Sequence, residues 1–173
     1  MNFVRNTVFV IAIVVASLIF FIAKNQNISF LKLTNAIEDS SARVNGVKTV
    51  VVSNDKISLK LELADTPEAR EKGLSQRKDI GEFDGMLFVF PEESYQTFWM
   101  KDMNFDLDII WIDSGGEVMQ IDKQVSANTY NSANPDSSLM YRSSHPIMYV
   151  MELESGVADK LGLSVNSKLS IVR

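Results

Sequence analysis

Asp102, Asn104, Asp106 and Asp108 recur at every second position inside the run TFWMKDMNFDLDIIWID, residues 97–113. Carboxylates in this pattern can hold a divalent cation, act as paired acid and base, or form the polar face of a strand. With Asp113 they fall on ligand positions of a twelve-residue calcium loop. However, Leu107 stands where that loop turns on glycine, its closing bidentate glutamate is replaced by aspartate, and no helical pattern flanks the run. An extended chain accounts for more of the pattern. It places these four side chains on one face, ~6.5–7 Å apart, and Met103, Phe105, Leu107 and Ile109 on the other. Like charges so arranged require a counter-charge. That is either a calcium ion held by Asp102, Asp106 and Asp108 or a basic side chain, with Arg77 the first candidate for Asp108 and with Arg142 and Lys123 as others.

Other side chains could also do chemistry. Alternation sets Thr97, Trp99 and Lys101 on one face, opposite Phe98 and Met100. An indole beside an ammonium can line a groove for a sugar ring or another planar ligand, although tryptophan next to methionine more often packs a core. Arg77 follows the helix stop at Gly73, and its planar fork suits an ion pair or a clamp on carboxylate or phosphate. Glu152 shares a face with Val150, opposite Tyr149, Met151 and Leu153, and is either an edge charge or a partly buried acid. Asp108 and Glu152 are the pair that a two-carboxylate hydrolase would use, given a fixed separation and pKa values pushed apart. His145, next to Pro146, reads as a solvated loop residue.

Composition narrows the choice. The chain has no cysteine, which excludes thiolate catalysis, disulfides and zinc–thiolate sites, and a single histidine excludes multi-histidine centres. A net charge of -5 with no basic cluster argues against nucleic acid as a partner. No catalytic set and no cofactor motif is recognisable. The expectation is a non-catalytic module that binds a small polar ligand, a glycan or a protein through Arg77, Trp99, Lys101, Asp108 and Glu152. The alternative is the hydrolase built on Asp108 and Glu152.

The elements that must position these residues begin after an apolar segment. Val8 to Ala23 carries no charge and, with Thr7, approaches the ~17–25 apolar residues that span a bilayer. Phe21, two residues before Ala23, disfavours signal cleavage. Residues 1–24 are therefore expected to be an uncleaved transmembrane anchor, residues 25–45 a linker, and residues 46–173 the folded domain. Arg5 and the amino terminus place the domain outside the cytoplasm by the positive-inside rule. In the domain, VKTVVV and ISLKLELA predict a hairpin. DTPEAREKG predicts a short helix capped by Asp65 or Thr66 and stopped by Gly73, and SGVADKLGL predicts a second short helix. Further strands are expected at Met86–Phe90, Thr97–Met100, Leu107–Ile112, Ile147–Leu153 and Leu169–Val172, with DSGG turning the chain into EVMQIDKQ. Many short strands with two short helices predict a mainly β fold, an antiparallel β-sandwich or a partly closed barrel.

The motifs ADTPEAREKGLSQR, GMLFVFPEE, FWMKDMNFDLDIIWIDSGGEV and YVMELESGVADKLGL, in this order, resemble the domain-of-unknown-function family 192 over residues 47–173. The resemblance implies a compact, mainly β fold, often exported, and brings no established activity. Where that family has Asn-Thr after FWMK and proline before LD, this chain has Asp102, Met103 and Asp106. It also lacks the cysteine pair that many members carry in the region matching residues 127–141.

Overall fold

The computed structural model describes residues 43–44 and 46–172. The expected anchor and most of the expected linker lie outside the described residues. Among the described residues no helix is long and apolar enough to cross a membrane.

β1 (Arg43–Val44) precedes β2 (Val47–Ser53), a run rich in valine, which pairs antiparallel with β3 (Ser58–Ala64). Asn54 makes the turn between them, its Oδ1 accepting from the amides of Lys56 and Ile57. Helix α1 (Pro67–Lys72) follows as its sequence predicts. Thr66 Oγ1 accepts from the Ala69 amide, Pro67 occupies the first turn, and Gly73, at φ 47°, ends the helix. α1 and the loop after it carry the chain to β4 (Gly85–Ser94), which lies parallel to β3. This pair departs from the all-antiparallel expectation. A crossover of a dozen or more residues permits it even though its helix is short.

The sheet continues through β9 (Ile147–Glu154), β6 (Leu107–Ile112) and β7 (Val118–Val125), giving the order β1-β2-β3-β4-β9-β6-β7. Asp113–Gly116 turns β6 into β7, with the Gly116 amide donating to the Asp113 carbonyl. After helix α2 (Val157–Lys160) the chain runs past the β7 edge, where the amides of Val118 and Leu169 donate to Ser167 and Gly116. It then becomes β10 (Ser170–Val172), paired with β2. One segment thus bonds to β7 on one side of the sheet and to β2 on the other, in keeping with the expected partly closed barrel. A separate ribbon pairs β5 (Thr97–Phe98) with β8 (Tyr141–Arg142).

Each face of the sheet carries a core. Val52, Leu61, Leu87, Ile110, Met151 and Leu153 pack on one face, and Met86, Phe88, Ile109, Trp111 and Val150 on the other. All six residues of β6 are buried, including Asp108, which has no exposed surface. Asp108 is not paired with Arg77. Arg77 instead grips Glu62 with both terminal nitrogens, at 2.7 and 2.9 Å. The Asp108 carboxylate accepts two backbone amides, Gln124 on Oδ1 and Ala158 on Oδ2, both at 2.9 Å. The first is freed by an irregularity in the β6–β7 register, where Gln124 has φ 53°. The second lies in the first turn of α2, where amides have no partner inside the helix. Asp108 therefore fastens β7 and α2 to β6. Asp108→Ala removes the acceptor of two amides, one buried and one part-buried, and should destabilise the domain by about 2–6 kcal/mol, at ~1–3 kcal/mol for each. Asp106→Ala, which loses one exposed contact to the Ala127 amide, should cost less than about 1 kcal/mol. Urea unfolding measures both, and an Asp108→Ala protein with the parental midpoint would contradict the fastening role.

Candidate functional site

The expected ladder of acids does not form. Lys101 and Asp102 make a turn, with Asp102 at φ 55°, and the chain bends again at Asn104 and Phe105 before β6 begins. Asp102 and Asp106 are exposed, Asp106 bonds to Ala127, and Asp108 is sealed inside the fold. Among the described residues no three His, Cys, Asp or Glu side chains cluster as metal ligands would. Asp102, Asp106 and Asp108 therefore do not converge on one point as the expected calcium ladder required. The ladder required a continuous strand, and the turn at Lys101–Asp102 breaks it.

Nor do Asp108 and Glu152 converge. In the β6–β9 register Asp108 lies opposite Leu153 and Ile109 opposite Glu152. Alternation therefore sends Asp108 to the face of Ile110 and Leu153, and Glu152 to the face of Ile109 and Val150. With the sheet between them, the two acids cannot act on one bond. Arg77, committed to Glu62, joins neither. His145 is exposed beside Ser144.

The structure does bring Trp99 and Glu152 together, in a cavity of about 280 Å³. The loop from α1 through Ser75 forms one side. Phe88 and Phe90 of β4, Phe98 of β5, Trp99 and Met103 form the aromatic and apolar walls, and Glu152 lies at the base. Phe98 organises the walls. Its ring meets Phe88, Phe90 and Trp111 edge-on, with centroids 4.9, 6.4 and 5.6 Å away. Trp99 is 48% exposed, packs its edge against Tyr130, and carries the Lys101 ammonium 5.8 Å from its ring centroid. Arg70 stands at the rim over Phe90, with Nη1 donating to the carbonyls of Asp65 and Val89. The neighbourhood is tight where the strands require it. A Cβ on Gly85 would lie 2.2 Å from the Glu152 carbonyl, so glycine alone lets β4 approach β9 beside the acid.

Glu152 is 5% exposed, and no group among the described residues hydrogen-bonds or ion-pairs with its carboxyl. Its oxygens are not sealed, and the cavity is where they open. Burial raises its pKa from 4.5 to about 8. The unfolded chain releases this proton near 4.5, while the folded chain holds it until about 8. The native state therefore binds the extra proton in that window, and stability falls as pH rises through it.

The expected Trp99–Lys101 surface survives in altered form, with Trp99 lining the cavity and Lys101 covering part of its ring. Sequence reasoning placed Phe98 on the opposite face from Trp99 and assigned Phe88 and Phe90 no role. β5 ends at Phe98, so alternation does not continue into Trp99, and both rings reach the cavity. The signal that was available is the density of aromatic residues in MLFVF and TFWM.

The family model DUF192, "Uncharacterized ACR", matches residues 49–171. The chain belongs to the DUF192 family. Two solved structures share its fold. One, from Sinorhizobium meliloti 1021 and provisionally described as a transcription regulator, is 31% identical, with a TM-score of 0.59 over 70% of this chain and 91% of that one. The other, a protein of unknown function from Novosphingobium aromaticivorans DSM 12444, is 27% identical, with a TM-score of 0.59 over 73% of this chain and 88% of that one. Comparison with curated proteins returns no match. The site therefore has to be read from this DUF192 domain's own chemistry.

Proposed function

We propose that this DUF192 domain is a non-catalytic binding module that takes a small ligand in the cavity between Trp99 and Glu152. The observation that carries this reading is a buried carboxyl, without a partner among the described residues, at the base of an aromatic-walled cavity. A buried polar group without a hydrogen bond is costly, and the cost is recovered when a ligand supplies the missing contact. Non-catalytic binding is favoured because the second acid of the hydrolase pair lies across the sheet, and of the hydroxyls that line the cavity, Ser75 donates to the Lys101 carbonyl rather than to a base. A small molecule fits this concave site better than a glycan chain or a protein surface would. The description of the Sinorhizobium relative as a transcription regulator is not carried over. The net charge is -5, and Lys48, Arg77, Lys123 and Lys168 are each engaged by a carboxylate.

The proposal includes a location. The uncharged run Val8–Ala23 supports a single-pass tether, and Arg5 supports a domain outside the cytoplasm. Alkaline phosphatase joined after Arg173 should be active in a bacterial host. An inactive phosphatase paired with an active cytoplasmic reporter at the same position would reverse the orientation.

Binding can be read through tryptophan. Trp99 is half-exposed at the cavity and Trp111 is fully buried, so a cavity ligand should perturb the emission of Trp99 alone. In a thermal-shift screen of small aromatic and sugar compounds, a cavity ligand should raise the parent Tm. Trp99→Ala should weaken that ligand about tenfold, or ~1.4 kcal/mol. A ligand whose stabilisation survives Trp99→Ala unchanged binds elsewhere and would overturn the assignment of this cavity.

A further inference from the structure

Resting on the binding reading above, we infer that the ligand is a small amine whose ammonium group meets the Glu152 carboxylate while its flat or apolar body lies against Phe88, Phe98 and Trp99. Three features of the cavity point to this class. Its base offers one acidic group, Glu152, with no donor or cation paired to its carboxyl among the described residues. Its walls are lined by aromatic rings, whose faces attract cations through their quadrupole and whose bodies can bury an apolar group. Two such faces at the rim already draw the protein's own cations, with Arg70 5.3 Å from the centre of Phe90 and Lys101 5.8 Å from that of Trp99. A ligand ammonium would repeat this contact deeper in the cavity, beside the buried Glu152 carboxyl.

The charged groups facing the cavity do not oppose this. Arg70, Glu71 and Lys72 all come from α1, and the segments from β4 and β5 bring no titratable group. Arg70 is spent on two backbone carbonyls and the Phe90 ring, while Glu71 and Lys72 are exposed and offset each other. A neutral ligand could accept the Glu152 proton as a hydrogen bond but would gain nothing electrostatic from the aromatic faces. An anionic ligand would face a carboxyl that cannot ionise beside it.

The proton accounting is simple. In the empty cavity near neutral pH the Glu152 carboxyl holds its proton. When an ammonium enters, that proton leaves for solvent, the ammonium keeps its own, and the ion pair remains. Apparent affinity should therefore rise with pH until Glu152 is ionised without help.

The test uses the full chain and three probes of like shape: 2-phenylethylamine, 2-phenylethanol and phenylacetate. Titration calorimetry or Trp99 fluorescence should show the amine binding at least about tenfold tighter than either analogue, and its affinity rising about tenfold or more between about pH 6.5 and about pH 8.5. Glu152→Gln preserves the shape of the protonated acid. In a variant shown to be folded by circular dichroism, it should remove both the amine preference and the pH dependence. If 2-phenylethanol or phenylacetate binds as well as the amine and Trp99→Ala weakens it, the cavity reading stands and the amine inference falls. If none of the three binds, both fall.

Discussion

The central parts of strands β4, β9 and β6 are covered on both faces, and that constraint governs the polar side chains buried there. Between β6 and β9 it admits two buried acids and resolves them in opposite ways. Asp108 is fully satisfied by the backbone. It takes the amide that a register irregularity releases in β7 and the amide that α2 leaves open at its first turn. Glu152, one strand away and facing the other core, receives no hydrogen bond or ion pair on its carboxyl among the described residues. The first arrangement joins elements of the fold. The second leaves an unmet requirement at the base of a cavity, and it is the reason to regard that cavity as a site.

The fold places the acid there through close packing. Gly85 lets β4 lie against β9 beside Glu152, where a Cβ would meet the Glu152 carbonyl at 2.2 Å. On the same face the Phe98 ring bridges Phe88, Phe90 and Trp111, joining the small β5 ribbon to the main sheet. Gly73 stops α1 next to Phe88, and Arg70 ties the helix to the carbonyl of Val89. The cavity walls are thus held by the contacts that stabilise this side of the domain, which favours a site formed before the ligand arrives.

Much of this architecture is legible in the sequence because it depends on local rules. The α1 caps at Thr66 and Gly73, the Asn54 turn, the DSGG turn and the alternation that separates Val150 and Glu152 from Met151 and Leu153 all follow from neighbouring residues. Reasoning failed where non-local pairing decides. The parallel β3–β4 pair, the Arg77–Glu62 bridge and the meeting of Asp108 with α2 join residues 15 or more apart. The acidic ladder misled because its period-two spacing assumes an extended chain, and a turn at Lys101–Asp102 interrupts it. Glu152 was visible as an acid on an inner strand. That it lacks a partner depends on which strands flank β9, and no local pattern encodes that.

The central claim is that Glu152 is a buried acid, without a partner among the described residues, that opens into the cavity. The most direct measurement is the carbon-13 shift of its side-chain carboxyl followed across pH in the intact protein, with Glu152→Gln identifying the signal. The account predicts a single titration with a midpoint of about 8. A midpoint near 4.5, the value of an ordinary glutamate, would mean that water or an unseen partner reaches the carboxyl, and would contradict it.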